Sequence, residues 1–338
     1  MSGPSSLSSL VPGLGRKLVA ASLLGGAAFA ALSIYSDIEA LRGHLASYAI
    51  EPLLLALSFV LGNYALRFVR WQYYLRMLRI RIPVGESLLV FVSGFVMSVT
   101  PAKIGEVFKS LLLHESRGLA VATTAPIVFA ERLTDLLALA ILTSLGCVAF
   151  QHGWAVAVTA MLMVGILVVS VAYRPLGEGF IRVAGRLPGL RRLAPRLMEA
   201  YSALHTMTRP IAVLCATALA FSGWGLECAA MFVVVTGFQQ DALTMTAAMF
   251  AYSASTLAGA LAMLPGGLGV TEAGMAGLLQ VLGHGRITSA VAGASTMLIR
   301  LVTLWFAVLL GLVAFSAWRT LQRARKPEHA GPDAPAAY

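Results

Sequence analysis

Long apolar stretches recur along the chain, separated by short polar or basic segments. Six of them are long enough to cross about 30 Å of hydrocarbon as helices, which takes roughly 20 apolar residues. These stretches are 18–35, 52–69, 119–150, 154–173, 210–236 and 286–318. The pattern predicts an all-α integral membrane protein, a polytopic helical bundle with residues 18–318 as its single transmembrane domain.

The first apolar stretch has two interpretations. Residues 1–17 end in two basic residues, and Ala28-Phe29-Ala30 resembles a signal-peptide cleavage site, so the segment could be removed. We interpret 18–35 as a retained helix, because the charges of the later loops fit a chain with this additional crossing. Residues 1–17 are then a cytoplasmic segment.

Four further apolar segments are too short to cross the membrane as straight helices. They form two pairs, 86–100 with 104–113 and 242–264 with 270–283, each interrupted by Pro and Gly. We expect each pair to return to the side it left, as a re-entrant helical hairpin. The residues expected at the breaks are Pro101, Gly105, Pro265, Gly266, Gly267 and Gly269.

The two predicted hairpins occupy matching positions in two longer units. Glu106 precedes Arg132 by 26 residues in the first unit, and Glu272 precedes Arg300 by 28 in the second. We therefore predict two inverted-topology repeats, about 52–150 and 210–318, with chance similarity between apolar sequences as the alternative. Paired broken helices at matching positions point to the substrate site of a transporter.

Composition excludes a soluble globular enzyme. The chain is 58% hydrophobic and 12% charged, whereas a soluble domain is usually about a quarter charged. We attribute the net charge of +10 to cytoplasmic loops and anionic lipids rather than to nucleic acid. The run 67–81, the loop 174–209 and the tail 319–338, which we expect to be disordered, are basic, so these segments and both termini are placed in the cytoplasm.

Several ionisable residues lie in predicted membrane segments, where each costs about 2.5–3.5 kcal/mol even on a lenient scale. The candidates for a headgroup cavity are Lys103, Glu106, Lys109, Glu131, Arg132, Asp135, Glu272 and Arg300. In a structural interpretation, the two hairpin glutamates pair with Arg132 and Arg300. In a functional one, these arginines and the two lysines bind a lipid phosphate or another anionic headgroup. Both interpretations can be correct, because an entering headgroup can displace a glutamate from its arginine.

Other motifs are weaker. Glu227 is either a buried, hydrogen-bonded acid, which we favour, or part of a proton path. The glycines at 266–269 lack the Lys-Ser/Thr of a phosphate loop, and the His and Cys residues have no metal-ligand spacing. Trp71, Tyr73 and Tyr74 are typical of an interfacial belt. We therefore expect no enzyme, cofactor or metal, and transport that is downhill or coupled to an ion or proton gradient.

Three motifs resemble the membrane region of lysylphosphatidylglycerol synthetases, a family with stand-alone flippase-like members. They are VTPAKIGEVFKSLLL (99–113), FAERLTD (129–135) and LPGGLGVTEAGMAGLL (264–279). The resemblance implies a bacterial inner-membrane protein that moves lipids between leaflets. Members are associated with aminoacylated phosphatidylglycerol, hopanoid-type lipids or polyprenyl-linked sugars. Little sequence follows the last span, so we expect a member without the aminoacyl-transferase domain.

We therefore expect a lipid transporter, or flippase-like protein, whose partners are membrane lipids with polar or anionic headgroups. One alternative is a membrane enzyme that acts on a lipid-phosphate headgroup, with Glu106 or Glu272 as base. The other is a non-transporting scaffold of a lipid-biosynthesis complex. Contacts with lipid-biosynthesis enzymes, the oligomeric state and the identity of the lipid are left open.

Overall fold

The chain folds into a bundle of helices. A computed structural model describes residues 43, 48–100, 104–147, 153–184, 194–238 and 243–325. The helices of the first half are α1 (Ile50–Met77), α2 (Val84–Ser93), α3 (Phe108–Arg117), α4 (Val121–Gly146), α5 (Gly153–Ala172) and α6 (Arg174–Ala184). Those of the second half are α7 (Ala194–Met207), α8 (Pro210–Thr236), α9 (Met245–Leu261), α10 (Val270–Leu282), α11 (Ser289–Arg300) and α12 (Phe306–Arg325).

Three of the described helical runs are long and apolar enough to cross a membrane. They are α1, α8 and the continuous run Ser289–Ala324, in which a π-helical turn at Leu301–Trp305 joins α11 to α12. The 20 residues of α5 coincide with the predicted span 154–173, and the 26 residues of α4 lie within 119–150. The chain is a helical membrane protein, as predicted. The first predicted span, 18–35, lies outside the described residues.

The short apolar segments form two pairs of short helices. α2 continues as a 3₁₀ turn at Gly94–Met97, which contacts a second 3₁₀ turn, Ile104–Val107, at the start of α3. We call these elements the first helical pair. The second helical pair is α9 and α10, which pack against each other on either side of the connection 262–269.

Each helical pair packs against the long helix of the other half of the chain. α2 and its 3₁₀ turn contact α12, α9 contacts α4, and α1 and α8 form the most extensive helix contact. Glycines allow the closest approaches. A Cβ on Gly146 of α4 would lie 2.7 Å from the backbone nitrogen of Phe250, and one on Gly311 of α12 would lie 2.5 Å from that of Val96.

We expect Gly146→Ala to destabilise the protein, because the added methyl group meets backbone atoms of α9 that cannot rotate away. Overpacking of this kind costs about 1–3 kcal/mol. The measurement is the thermal unfolding of the purified protein in detergent. Gly225→Ala on α8 is the matched control, since its added Cβ has no heavy atom within 4 Å. Equal unfolding temperatures for the two variants would show that α4 and α9 are not in close contact.

The structure corrects the start of the basic run 67–81, which the sequence placed after the end of the second span. α1 continues to Met77, and the side chains of Arg67 and Arg70 are buried within the bundle. Trp71 and Tyr74 are also fully buried, so they do not form an interfacial belt. The expectation failed because the acids that neutralise these arginines come from α4 and from the turn before α3, which the local pattern does not show.

Two further segments contain helices. The basic segment 174–209 was expected to be partly an amphipathic helix; it contains α6 and α7, and α7 packs against α4. The last helix continues to Arg325, so residues 319–325 are helical, whereas the sequence assigned them to a disordered tail. Residues 326–338 are not among those described.

Candidate functional site

A cavity of about 380 Å³ lies among α1, α4, α8, α9 and the junction of α11 with α12. Both interrupted segments reach it: Ser98 and Thr100 come from the first helical pair, and Gly266 and Gly267 come from the second. Its volume is in the range of small-molecule sites in proteins. Both halves of the chain therefore contribute residues to one cavity of ligand size.

Charged residues of both signs line this cavity. The cations are Arg67 of α1, Arg132 of α4 and Arg300 of α11, and the acids are Asp135 of α4 and Glu227 of α8. All five side chains are buried except Arg132, which is 19% exposed. The three guanidinium groups come from three different helices, so the tertiary structure, rather than one sequence motif, assembles the cationic wall.

The mouth of the cavity is apolar. Phe129 of α4 is 49% exposed, and Met263 and Leu264 in the α9–α10 connection are 60% and 39% exposed, yet all three line the cavity. Residues that line a cavity and also face outward mark its opening. The cavity therefore joins an apolar opening to a charged interior.

Glu106 is the centre of a buried ion-pair cluster. Its carboxylate lies 3.2 Å from Nη2 of Arg67, 3.4 Å from Nζ of Lys109 and 3.4 Å from Nη2 of Arg132. It is fully buried on the 3₁₀ turn that begins the second half of the first helical pair. One carboxylate thus holds two of the arginines that line the cavity.

Arg132 is the most accessible cation of this cluster. Its Nη2 lies between Glu106 and Asp135, 3.1 Å from Oδ2 of Asp135, whose Oδ1 lies 2.8 Å from Nη1 of Arg70 and accepts a hydrogen bond from Trp224. The Nε–H of Arg132 has no hydrogen-bond partner among the described residues. Arg132 therefore lines the cavity with a guanidinium group whose hydrogen-bonding capacity the described residues do not fill.

Lys109 and Glu131 lie behind the cavity wall. Nζ of Lys109 is 2.7 Å from Oε2 of Glu131 and 4.7 Å from the centroid of the Trp71 ring. Both side chains are 1% exposed, and neither lines the cavity. Their contacts are those of a buried structural ion pair under an aromatic ring.

The second helical pair has a separate ion pair at its break. Nε of Arg300 lies 2.6 Å from Oε1 of Glu272, and its Nη2 donates a 2.7 Å hydrogen bond to the carbonyl of Gly266. The other oxygen of Glu272 accepts a hydrogen bond from the backbone N–H of Gly269. The arginine thereby fixes the interrupted backbone, and the glutamate caps the N-terminus of α10.

Glycine is required where the second pair turns. Gly266, Gly267 and Gly269 have φ values of 61°, 69° and 87°, a left-handed region that other residues rarely adopt. In the first pair the requirement at Gly105 is one of space, since an added Cβ would lie 2.6 Å from the side chain of Thr100. The glycines expected at the breaks are thus needed for backbone shape and close packing.

Glu227 is a buried, hydrogen-bonded acid, as we favoured from the sequence. It is 5% exposed, and its two oxygens accept hydrogen bonds from Nδ2 of Asn63 on α1 and the hydroxyl of Tyr252 on α9. Nearby, the hydroxyl of Tyr64 donates a 2.6 Å hydrogen bond to the carbonyl of Thr303, within the π-helical turn. Polar contacts therefore join α1 to α8 and to the π-helical turn, and join α8 to α9.

The predicted site residues fall into distinct positions. Arg132, Asp135, Arg300, Gly266 and Gly267 line the cavity. Glu106 and Glu272 hold the arginines of the cavity, so both ion pairs of the structural interpretation are present. Pro101 and Lys103 fall in the gap at 101–103, which the structure does not describe.

Sequence reasoning missed Arg67, Arg70, Asn63 and Tyr252. A signal was present in α1, where Asn63, Arg67 and Arg70 are spaced i, i+4 and i+7 and so share one helical face. This polar stripe within an apolar helix could have identified a buried polar surface. Tyr252 had no such local signal, because its partner lies on another helix.

Comparison with known proteins places this architecture among membrane proteins. The family described as lysylphosphatidylglycerol synthase TM region matches residues 19–311. A UPF0104 membrane protein of Methanocaldococcus jannaschii is 24% identical over 65% of this chain and 93% of its own length. Another, of Methanothermobacter thermautotrophicus, is 26% identical over 74% of this chain and 80% of its own length.

Proposed function

The chain belongs to the lysylphosphatidylglycerol synthase transmembrane-region family, and from that premise we propose that it moves a polar or anionic membrane lipid between leaflets. The observation that carries this proposal is a cavity with a charged interior and an apolar mouth. A membrane lipid likewise combines a polar or charged headgroup with apolar acyl chains. Its headgroup enters the cavity while its acyl chains stay among Phe129, Met263 and Leu264 and in the bilayer.

The polar wall suits the phosphate of a lipid headgroup. Guanidinium groups bind phosphate oxygens through several N–H donors in a fixed geometry, and three of them line this cavity. Ser98 and Thr256 also line it, and their hydroxyl groups have no hydrogen-bond partner in the part of the chain that the structure describes. A phosphate that engages Arg132 takes the place of part of its contact with Glu106.

Inverted-topology repeats and re-entrant hairpins are part of the proposal. Two observations support them: each helical pair supplies a glutamate that pairs with an arginine of the following helix, and each pair packs on the long helix of the other half. With the basic segments inside, both termini lie in the cytoplasm of a bacterial inner membrane. The paired breaks then meet at the cavity, where such transporters bind substrate.

The same geometry favours a transporter over an enzyme acting on a lipid phosphate. In the enzyme alternative, Glu106 or Glu272 acts as the base. Both are buried, both are in contact with arginine, and neither lines the cavity. A general base needs to be within hydrogen-bond reach of the proton that it removes, so the proposal assigns these glutamates to positioning the arginines.

The double variant Arg132→Gln/Arg300→Gln tests the proposed function. Hydrogen bonds to charged groups contribute about 1.5–3 kcal/mol each, so we expect translocation of fluorescent phosphatidylglycerol in phosphatidylcholine vesicles to slow at least tenfold. Native mass spectrometry should show that a lipid enriched on the wild-type protein is lost from the variant.

Arg323→Gln is the matched control, because Arg323 is exposed near the end of α12. It should behave as wild type in both measurements. Unchanged enrichment and translocation in a folded double variant would contradict the proposal and favour the scaffold alternative.

A further inference from the structure

We propose that the connection between α9 and α10, residues 262–269, is a gate of the cavity that an anionic headgroup opens. The inference rests on the proposed function and adds to it the step at which the cavity opens. Three apolar side chains close the gate in this structure. They are Val99 of the first helical pair, Leu268 of the connection and Leu304 of the π-helical turn, and they form a buried cluster separate from the main hydrophobic core.

Three irregular backbone segments meet at this cluster. The first is the end of the 3₁₀ turn in the first helical pair, the second is the connection with its left-handed glycines, and the third is the π-helical turn. A Cβ on Gly266 would lie 3.5 Å from Cα of Val99 and 3.5 Å from Cδ2 of Leu304, so the two breaks approach each other closely. Irregular backbone at membrane depth is tolerated where it is buried in protein or lines a cavity, and single π-helical turns often occur at functional sites.

The cluster lies directly behind the wall of the cavity. Ser98 and Thr100 line the cavity on either side of Val99, and Gly267 lines it next to Leu268. Val99 and Leu268 themselves do not line it, so their side chains form the layer behind these polar and small residues. The cluster therefore closes the wall where the two halves of the chain meet. An apolar constriction of this kind excludes water and charged groups until it widens.

The contact between the two breaks can open while the ion pairs at those breaks stay intact within their own halves. Glu106 pairs with Arg67 and Arg132 in the first half of the chain, and Glu272 pairs with Arg300 in the second. The cluster consists of apolar side chains, so its separation exposes no polar side-chain group that needs a new partner. The glycines of the connection can take up the change in backbone angles, as hinge residues do in other proteins.

The surfaces against which the connection closes are held in place. The hydroxyl of Tyr64 donates a 2.6 Å hydrogen bond to the carbonyl of Thr303, which fixes the π-helical turn to α1. The helix α1 in turn has its most extensive contact with α8. On the other side, the hydroxyl of Thr100 donates a 2.6 Å hydrogen bond to the carbonyl of Met97 and fixes the backbone around Val99. The connection is therefore the part of the gate that moves.

Arg300 is the latch of this gate. Its Nη2 donates a 2.7 Å hydrogen bond to the carbonyl of Gly266, and its Nε lies 2.6 Å from Oε1 of Glu272, so one guanidinium group holds the connection and the start of α10. Arg300 also lines the cavity, where a headgroup phosphate competes for the same donors. A ligand shifts a conformational equilibrium only by binding one state more strongly. The phosphate does so, because Arg300 offers it most donors once the carbonyl of Gly266 has moved away.

Thiol labelling in phosphatidylcholine nanodiscs tests the opening. Leu268→Cys is introduced into protein whose three native cysteines, none of which lines the cavity, are replaced by alanine. The new thiol should react slowly with a water-soluble maleimide, and phosphatidylglycerol should increase the rate about fivefold or more, a typical coupling between two sites. With Arg300→Gln added, the thiol should react rapidly even without phosphatidylglycerol, because the latch is missing. A rate that the lipid leaves unchanged, or slow labelling with Arg300→Gln, would overturn the inference.

A crosslink tests whether this opening is needed for transport. Val99→Cys/Leu268→Cys, joined by the short thiol crosslinker dibromobimane, should still bind phosphatidylglycerol. It should move the lipid about tenfold more slowly, or less, than the same protein before crosslinking, because opening of the gate is a required step. Gly62→Cys/Leu226→Cys is the matched control, since it joins α1 to α8 across the two halves, at positions that do not line the cavity. A Cβ on Gly62 would lie 3.0 Å from Cδ1 of Leu226, and crosslinking this pair should leave the transport rate unchanged.

The two proposals fail in different ways. If phosphatidylglycerol crosses at an unchanged rate after the Val99→Cys/Leu268→Cys crosslink, the gate is overturned and the transport function stands. If both crosslinks stop transport equally, the two halves move as wholes, and a gate in the connection is again overturned. Wild-type protein that neither binds nor moves this lipid would overturn both proposals.

Discussion

Glu106→Gln should lower the free energy of unfolding by about 3–5 kcal/mol, the usual cost of removing one partner from a buried ion pair. The carboxylate contacts Arg67, Lys109 and Arg132 and is fully buried. A neutral amide leaves these three cations in a low-dielectric interior with only part of their compensation. Thermal unfolding of the detergent-purified protein should shift downward by roughly 10 °C.

Glu115→Gln is the matched control for this loss. Glu115 lies on α3, which follows Glu106 directly, but its side chain is exposed. The same chemical change should therefore alter the unfolding temperature by little, since substitutions of exposed residues usually stay within about 0.5 kcal/mol. Similar unfolding temperatures for the two variants would show that the cluster around Glu106 contributes nothing to stability.

The importance of Glu106 also bears on how binding and stability are related. Its carboxylate holds Arg67 and Arg132 at the cavity wall, so a phosphate in the cavity competes with it for the same donors. The ion pairs of Glu106 with Arg67 and Arg132 must be strong enough to compensate buried charge. They must also be weak enough for a phosphate to replace the carboxylate. The 3.4 Å separation of Arg132 from Glu106, and its partial exposure, suit such an exchange better than the tight Lys109–Glu131 pair.

The helical membrane class could be predicted from the sequence because the length of an apolar stretch is local information. The predicted span 210–236 coincides with α8, and 52–69 lies within α1. The four short segments were recognisable for the same reason, since Pro and Gly interrupt them at fixed positions. The end of α1 could not be predicted from the local pattern. Arg67 and Arg70 are typical of a loop after a membrane span, and their acidic partners lie elsewhere in the chain.

The candidate site was predictable only where both partners lie in one unit. The pairs Glu106–Arg132 and Glu272–Arg300 could be inferred because a similar spacing, 26 and 28 residues, recurs in the two halves of the chain. Lys109 could not be placed, since its position beside the cavity or behind it depends on how α3 is rotated about its axis. Tyr252 was missed because it meets Glu227 from another helix, and the stripe of Asn63, Arg67 and Arg70 on α1 was overlooked although it is visible in the sequence.

The apolar mouth was not predictable for a related reason. In a membrane protein, exposed Phe, Leu and Met residues are expected all over the lipid-facing surface. Phe129, Met263 and Leu264 differ from the others only in lining a cavity that also contains arginines. This juxtaposition of α4 with the α9–α10 connection is tertiary, and it is the feature on which the transport proposal depends.

Ala260→Trp should strongly slow lipid translocation without removing any charge. Ala260 lies on α9 and lines the cavity, so an indole at this position occupies space within a volume of about 380 Å³ that the headgroup needs. We expect at least a tenfold slower transfer of fluorescent phosphatidylglycerol in vesicles, and loss of the lipid that co-purifies with the wild-type protein. Because the ion pairs remain, the unfolding temperature should change little.

Ala258→Trp is the control that separates a filled cavity from a perturbed helix. Ala258 is two residues earlier on α9, is exposed and does not line the cavity, so its indole is directed to lipid. It should transport at the wild-type rate. Transport that survives in Ala260→Trp would show that the headgroup does not pass through this cavity, even if the paired arginines prove essential. Loss in Ala260→Trp alone would separate transport through the cavity from a scaffold role, which requires only an intact fold.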